Sequence, residues 1–146
     1  MKKYVFLLTF LMSLSSTLFA NNDGEVPFED LPSKVQFFIQ TYFSDEDFEA
    51  YEQNGKLQRY YLSAADGKKV VFNHSGDCID IDCQDERVPS PLIPVPILNY
   101  IGRYFGYAIK VVHLEFTTKG CYNVGLSNGV LLKFNKKYKK VKSKSL

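Results

Sequence analysis

The chain repeats itself at an offset of 62 residues, and this limits its fold more than any single motif does. Leu31-Pro32 returns as Ile93-Pro94. Val35, Phe38, Ile39, Tyr42 and Phe43 return as Ile97, Tyr100, Ile101, Tyr104 and Phe105. Tyr60, Leu62, Gly67, Val70, Phe72 and Asn73 return as Tyr122, Val124, Gly129, Leu132, Phe134 and Asn135. One offset shared by apolar and turn positions implies a single supersecondary unit built twice. Neither copy is large enough to bury much core alone, so the two are expected to pool their apolar faces.

Periodicity defines the unit. Residues 32–43 carry apolar side chains at i, i+3, i+4, i+7 and i+8, which predicts an amphipathic helix. Pro32 suits its first turn, where the missing N–H costs nothing. A second helix follows from Ile97, Tyr100, Ile101, Tyr104 and Phe105, with Pro94 and Pro96 at its entry and Gly106 as its stop. Strands are expected at Phe48–Gln53, 57–64, Lys69–Asn73 and Cys78–Asp82 in the first copy. Those of the second copy fall at 108–116, 121–126, 130–135 and 138–142. Asn54-Gly55, Asp66-Gly67, Ser75-Gly76, Lys119-Gly120 and Asn128-Gly129 separate them as turns, and consecutive tight hairpins force antiparallel pairing. The expected fold class is α+β: two tandem helix-plus-four-strand antiparallel units sharing one sheet, with both helices on one face.

Alternation assigns the two faces. Tyr60, Leu62, Val70, Phe72, Tyr122, Val124, Leu132 and Phe134 should lie under the helices. The opposite side collects Arg59, Tyr61, Ser63, Lys69 and Val71, then Cys121, Asn123, Gly125, Leu131 and Lys133. An antiparallel sheet with helices on one side leaves its other side free. A free and partly apolar face is a candidate contact surface. Arg59, Tyr61, Lys69, Val71, Asn123 and Leu131 are the residues expected to carry it.

Residues 1–20 read as a secretory signal peptide: Lys2 and Lys3, an apolar run over 5–14, then Ala20 at the cleavage point. No later apolar run could span a bilayer, so no transmembrane anchor is expected after cleavage. The chain would be periplasmic or secreted. Residues 21–30 read as a flexible acidic lead-in. Residues 31–146 read as a single domain of two repeats, 31–83 and 93–142, joined by a proline-rich connector at 84–92.

Charge is unevenly placed. All 16 acidic residues precede Lys133, whereas residues 133–144 hold seven lysines and no acid. Residues 21–132 carry nine basic against 16 acidic residues, a formal −7 facing a terminal +7. The basic strand suits an acidic partner or an anionic lipid surface. The preferred reading is a solvated edge strand that lysines protect against edge-to-edge pairing. Nucleic-acid binding is discounted, because export and the repeat assign Phe134 to the core.

The pattern Leu31-Pro32, Ile39, Tyr42-Phe43, Asp66-Gly67, Phe72-Asn73, Gly76, Ile79-Asp80, Val88-Pro89, Ile93-Pro94, Tyr100-Ile101, Tyr104, Tyr122-Asn123-Val124, Leu126-Ser127-Asn128-Gly129 and Leu132-Lys133-Phe134 resembles the exported PepSY-like family. Members of that family are often described as beta-lactamase-inhibitor-like. The resemblance covers nearly all of the mature chain and rests on structural positions. It implies that the shared sheet is curved, and it supplies no catalytic residues. The family commonly places an aromatic, often Trp, after the Gly76-type glycine, where this chain has Cys78.

Chemistry is argued by elimination. Asp77, Asp80, Asp82, Asp85 and Glu86 form an acidic cluster but lack the glycine and terminal glutamate of an EF-hand loop. His74, Cys78, Asp82 and Cys83 are poorly spaced for zinc, so no metal and no cofactor is expected. With Cys78, Cys83 and Cys121 in an exported chain, one disulfide and one free thiol is the default. Only His74 and His113 could act as imidazole bases, and no nucleophile elbow, phosphate loop or dinucleotide fingerprint is present. The expected function is therefore a non-enzymatic exported interaction module, inhibitor-like toward an envelope protein or peptide. The alternative is a periplasmic small-ligand or cation sensor using the acidic cluster.

Overall fold

Tight turns pair most consecutive strands, and the two helical connections also join neighbouring strands, so the whole sheet runs in sequence order. The computed structural model describes residues 24–145, so the expected signal peptide lies outside the described residues. Nine antiparallel strands follow one another in sequence order. They are β1 (Gly24–Val26), β2 (Phe48–Gln53), β3 (Arg59–Ala64), β4 (Lys69–Asn73), β5 (Cys78–Asp82), β6 (Val111–Phe116), β7 (Tyr122–Leu126), β8 (Val130–Phe134) and β9 (Lys140–Ser145). Helix α1 (Ser33–Tyr42) lies between β1 and β2, and α2 (Val95–Phe105) between β5 and β6.

Register shows why one face is dry. Val26, Ala50, Leu62, Val70, Ile81, Leu114, Val124 and Leu132 are successive cross-strand partners from β1 to β8. Direct partners project to the same side, so they form one apolar row across eight strands. All but Val26 are buried. The helices cover this face. Val35, Ile39, Ile97 and Ile101 are their buried positions. The Phe38 ring meets Phe72 edge-on at 5.2 Å, and Tyr100 meets Phe134 edge-on at 5.3 Å.

Some expectations need correction. Gly24–Val26, placed by composition in the flexible lead-in, pairs with Ala50–Glu52 as an edge strand. Three residues are too short a run for periodicity to reveal. The last strand begins at Lys140 rather than 138. The Asn135 carboxamide oxygen accepts the Lys137 and Lys139 backbone N–H groups, and Tyr138 adopts φ 61°, so 135–139 is the turn. Tyr104, expected in the core, is 63% exposed and rests on Tyr100 with ring centroids 4.5 Å apart. All three cysteines are free thiols, Cys83 being fully buried. Burial pushes the Cys78 thiol up to about 12 and the Cys83 thiol up to about 11, so neither is nucleophilic near neutral pH.

One charged side chain sits inside the apolar face. Lys68 shares the side of Val70 and Phe72 and is 6% exposed. Its ammonium meets Glu46 from the α1–β2 loop, Asp66 of the β3–β4 turn at 2.9 Å and Glu86 of the connector at 2.7 Å. Burial disfavours its charge, but the three carboxylates outweigh that and raise its pKa. Three segments remote in sequence are thereby tied together.

Candidate interaction face

The face turned away from the helices is built by the same register. Glu25, Tyr51, Tyr61, Val71, Asp80, Glu115, Asn123, Lys133 and Lys142 succeed one another from β1 to β9. A second row runs Glu49, Ser63, Lys69, Asp82, His113, Gly125, Leu131 and Lys144. Arg59 continues the line of Tyr61 and Ser63, opposite Gln53 and Asn73. All six residues expected to carry a contact surface therefore stand on this one helix-free side.

They fall into two groups. Arg59, Tyr61, Lys69 and Val71 lie on adjacent β3 and β4, with Tyr61 and Val71 as direct partners. Tyr51 extends that aromatic and aliphatic patch and is 44% exposed. Asn123 and Leu131 lie on β7 and β8, on the far side of the sheet centre. Leu131 is 38% exposed.

Between the groups is a charged centre that the sequence did not reveal. Strands β5 and β6 pair over only three residues, Asp80–Glu115, Ile81–Leu114 and Asp82–His113. Here His113 Nε2 lies 2.6 Å from Asp80 Oδ1. That hydrogen bond, with the charges of Asp80, Asp82 and Glu115, raises the imidazole pKa against the opposing effect of burial. Asn123 Nδ2 donates to Glu115 Oε2 at 3.2 Å. Alternation could place Asn123 on this face, but the β5–β6 register that seats His113 against Asp80 spans a long connection and leaves no local trace.

Past the short pairing, β5 and β6 diverge and open a groove of about 850 Å³. Arg59, Tyr61 and Val71 line one side and Glu115, Phe116 and Thr117 the other, and Phe38, Leu92 and Tyr122 reach it from the helix side. Cys78 and Ile79 lie between them, at a bulge where the β4–β5 register shifts. A smaller hollow of about 270 Å³ lies over β6–β9, bounded by His113, Asn123, Leu131 and Lys133 among others.

The acidic cluster is dispersed. Asp77 pairs with Lys34, which holds its carboxyl below the usual range. Asp80 faces His113, Asp82 accepts the Gln84 N–H at 2.9 Å, and Glu86 binds Lys68. Among the described residues no three His, Cys, Asp or Glu side chains are arranged to hold a metal ion. His74 bonds only its neighbour Ser75, so the residues weighed for zinc do not converge.

Comparison with known proteins agrees with the fold. The family model described as "Putative beta-lactamase-inhibitor-like, PepSY-like" matches residues 58–142. A Bacteroides vulgatus structure described as a putative periplasmic protein from the DUF2874 family is 26% identical, with TM-score 0.79, covering 86% of this chain and 99% of that one. A Bacteroides thetaiotaomicron structure described as a putative calcium-regulated periplasmic protein is 29% identical, with TM-score 0.79, covering 84% of this chain and 97% of that one. A second Bacteroides vulgatus structure, described as a putative periplasmic protein of unknown function, is 25% identical, with TM-score 0.77, covering 85% and 100%. No curated protein matches the chain.

Proposed function

The chain belongs to the PepSY-like family, and from that premise we propose that it is a non-enzymatic, exported binding module. Its helix-free sheet face would hold a protein or peptide of the cell envelope in an inhibitor-like manner. The neighbours' description as periplasmic supports that location.

The observation that carries the reading is the composition of an uncovered face. Tyr51, Tyr61 and Val71 form a contiguous apolar row with Arg59 beside it, and Arg59 forms no ion pair with any described residue. Tyrosine and arginine are the side chains that most often dominate binding energy at an interface. A solvated sheet face needs neither. Support for non-catalysis is chemical: the Cys78 thiol, whose Sγ lies 3.8 Å from the Asp80 carbonyl oxygen, is held protonated by burial.

We infer also that residues 31–83 and 93–142 are two copies of one unit within a single domain, joined through 84–92. Five correspondences at the 62-residue offset support this. The Phe38–Phe72 and Tyr100–Phe134 ring contacts correspond, as do Phe38–Tyr42 and Tyr100–Tyr104. The Tyr60–Phe72 and Leu62–Val70 pairs match Tyr122–Phe134 and Val124–Leu132. Asn73 closes the β4–β5 turn as Asn135 closes β8–β9.

The test of the face is an envelope pull-down with the parent protein and with Tyr61→Ala/Leu131→Asp. Loss of the recovered partner in the double variant is expected. Recovery of the same partner by both would contradict the assignment. The second reading, a cation sensor, is favoured by the description of one neighbour as calcium-regulated. It ranks below because the carboxylates here serve separate partners. A calcium-induced thermal shift abolished by Asp80→Asn/Asp82→Asn would reverse that order.

A further inference from the structure

We infer that the α2–β9 end of the molecule docks on an anionic lipid surface. Three observations meet there. First, a groove of about 990 Å³ lies between α2 and the β8–β9 turn. It is lined by Tyr100, Tyr104, Tyr107, Tyr138, Arg103 and Lys140 among others, and by no carboxylate. Second, none of its cations is neutralised: Arg103, Lys139 and Lys140 form no ion pair with any described residue, nor do the other lysines of residues 133–144. Third, two of its four tyrosines are held outward. Tyr104 is 63% and Tyr107 84% exposed. The Tyr107 ring lies on Gly102, where an added Cβ would come within 2.4 Å of it. The glycine thus seats an aromatic that points to solvent rather than to the core.

The chemistry selects the partner. Exposed tyrosines flanked by lysine and arginine are the pair of groups that prefer a membrane–water interface. Spread over a turn, two strands and a helix, the cations match an extended anionic surface better than one small anion. Each lysine near such a surface contributes about 1 kcal/mol, roughly fivefold in partition. The acidic residues would repel the same surface if they were close. Half of the 16, eight acids against one lysine, fall in residues 24–53 around the β1–β2 edge, and none lies beyond Glu115 of β6. Eight strand spacings separate the two edges, roughly 38 Å of sheet and several Debye lengths at physiological salt. The molecule is therefore an electric dipole that would stand β9-edge down. Among the described residues no helix is long and apolar enough to cross a membrane, so the contact would be peripheral.

The test is co-sedimentation of the mature protein with vesicles of phosphatidylcholine alone and of phosphatidylcholine with one-quarter phosphatidylglycerol. Binding is expected only to the anionic vesicles and should weaken with salt. Lys139→Glu/Lys140→Glu should lower partition about 30-fold or more. Tyr104→Ser/Tyr107→Ser should lower it without any change of charge. The chain has no tryptophan, so Tyr104→Trp adds a single reporter whose emission should shift to the blue on anionic vesicles. Unchanged melting of each variant excludes misfolding as the cause. No sedimentation at low salt overturns the proposal. So does binding that matches retention on a soluble polyanion such as heparin and ignores the tyrosines, which would indicate a general anion site.

Discussion

Lys68 and His113 each draw charged partners from segments distant in sequence. Lys68 precedes β4 on the buried side of its alternation. Asp66 meets it within one turn, whereas Glu46 and Glu86 reach it only once the α1–β2 loop and the connector have folded. His113 is a partly buried strand residue whose Asp80 partner comes from β5, across a long connection that leaves no local register signal. The pair makes stability depend on pH in a definite direction. The folded imidazole pKa lies above its ordinary 6.5, chiefly through the Asp80 hydrogen bond. The folded state therefore binds the proton more tightly than the unfolded chain does. The contribution is fully present below pH 6.5 and is lost as pH rises through the folded value. Urea midpoints should fall modestly between pH 6 and pH 8.5 in the parent, and this fall should shrink in Asp80→Asn. An equal fall in both proteins would assign it to other groups.

At the scale of elements, the agreement follows from how much of the chain is local. Most element boundaries lie within a few residues of a proline, glycine or asparagine, such as Pro32 before α1, Gly106 after α2 and Asn73 at the end of β4, and such signals act locally. Failures arise where an element is fixed by something distant. Strand β1 exists because β2 offers it an edge. Tyr104 leaves the core and rests against Tyr100, although its spacing on α2 matched the buried Ile97 and Ile101. The helices are held mainly by those buried positions. Ile39 and Ile101 are each 4% exposed, so Ile39→Ala or Ile101→Ala should each cost about 2–5 kcal/mol. Chemical denaturation checks this. If the two units share one core, either substitution should shift a single cooperative transition. Two transitions would make the copies independent domains.

For the whole molecule, the open sheet separates three surfaces with different chemistry: a helix-covered core face, an uncovered face with a tyrosine–valine row, and a lysine-rich edge. The candidate face was legible in part. Alternation on β3, β4, β7 and β8 placed all six of its expected residues on one side, whereas Tyr51, Asp80, His113 and Glu115 needed the full register. The acidic cluster misled because nearness in sequence did not become nearness in space. The central claim is that the uncovered face, and not the helix side, meets the partner. The most direct measurement is site-specific photocrosslinking in the native envelope. A photoreactive side chain would be placed in turn at Tyr61, at Val71 and at Gln40, which is exposed on α1. The account predicts one discrete adduct from Tyr61 and Val71 and none from Gln40. The same adduct from Gln40 alone, with none from the sheet positions, would contradict it.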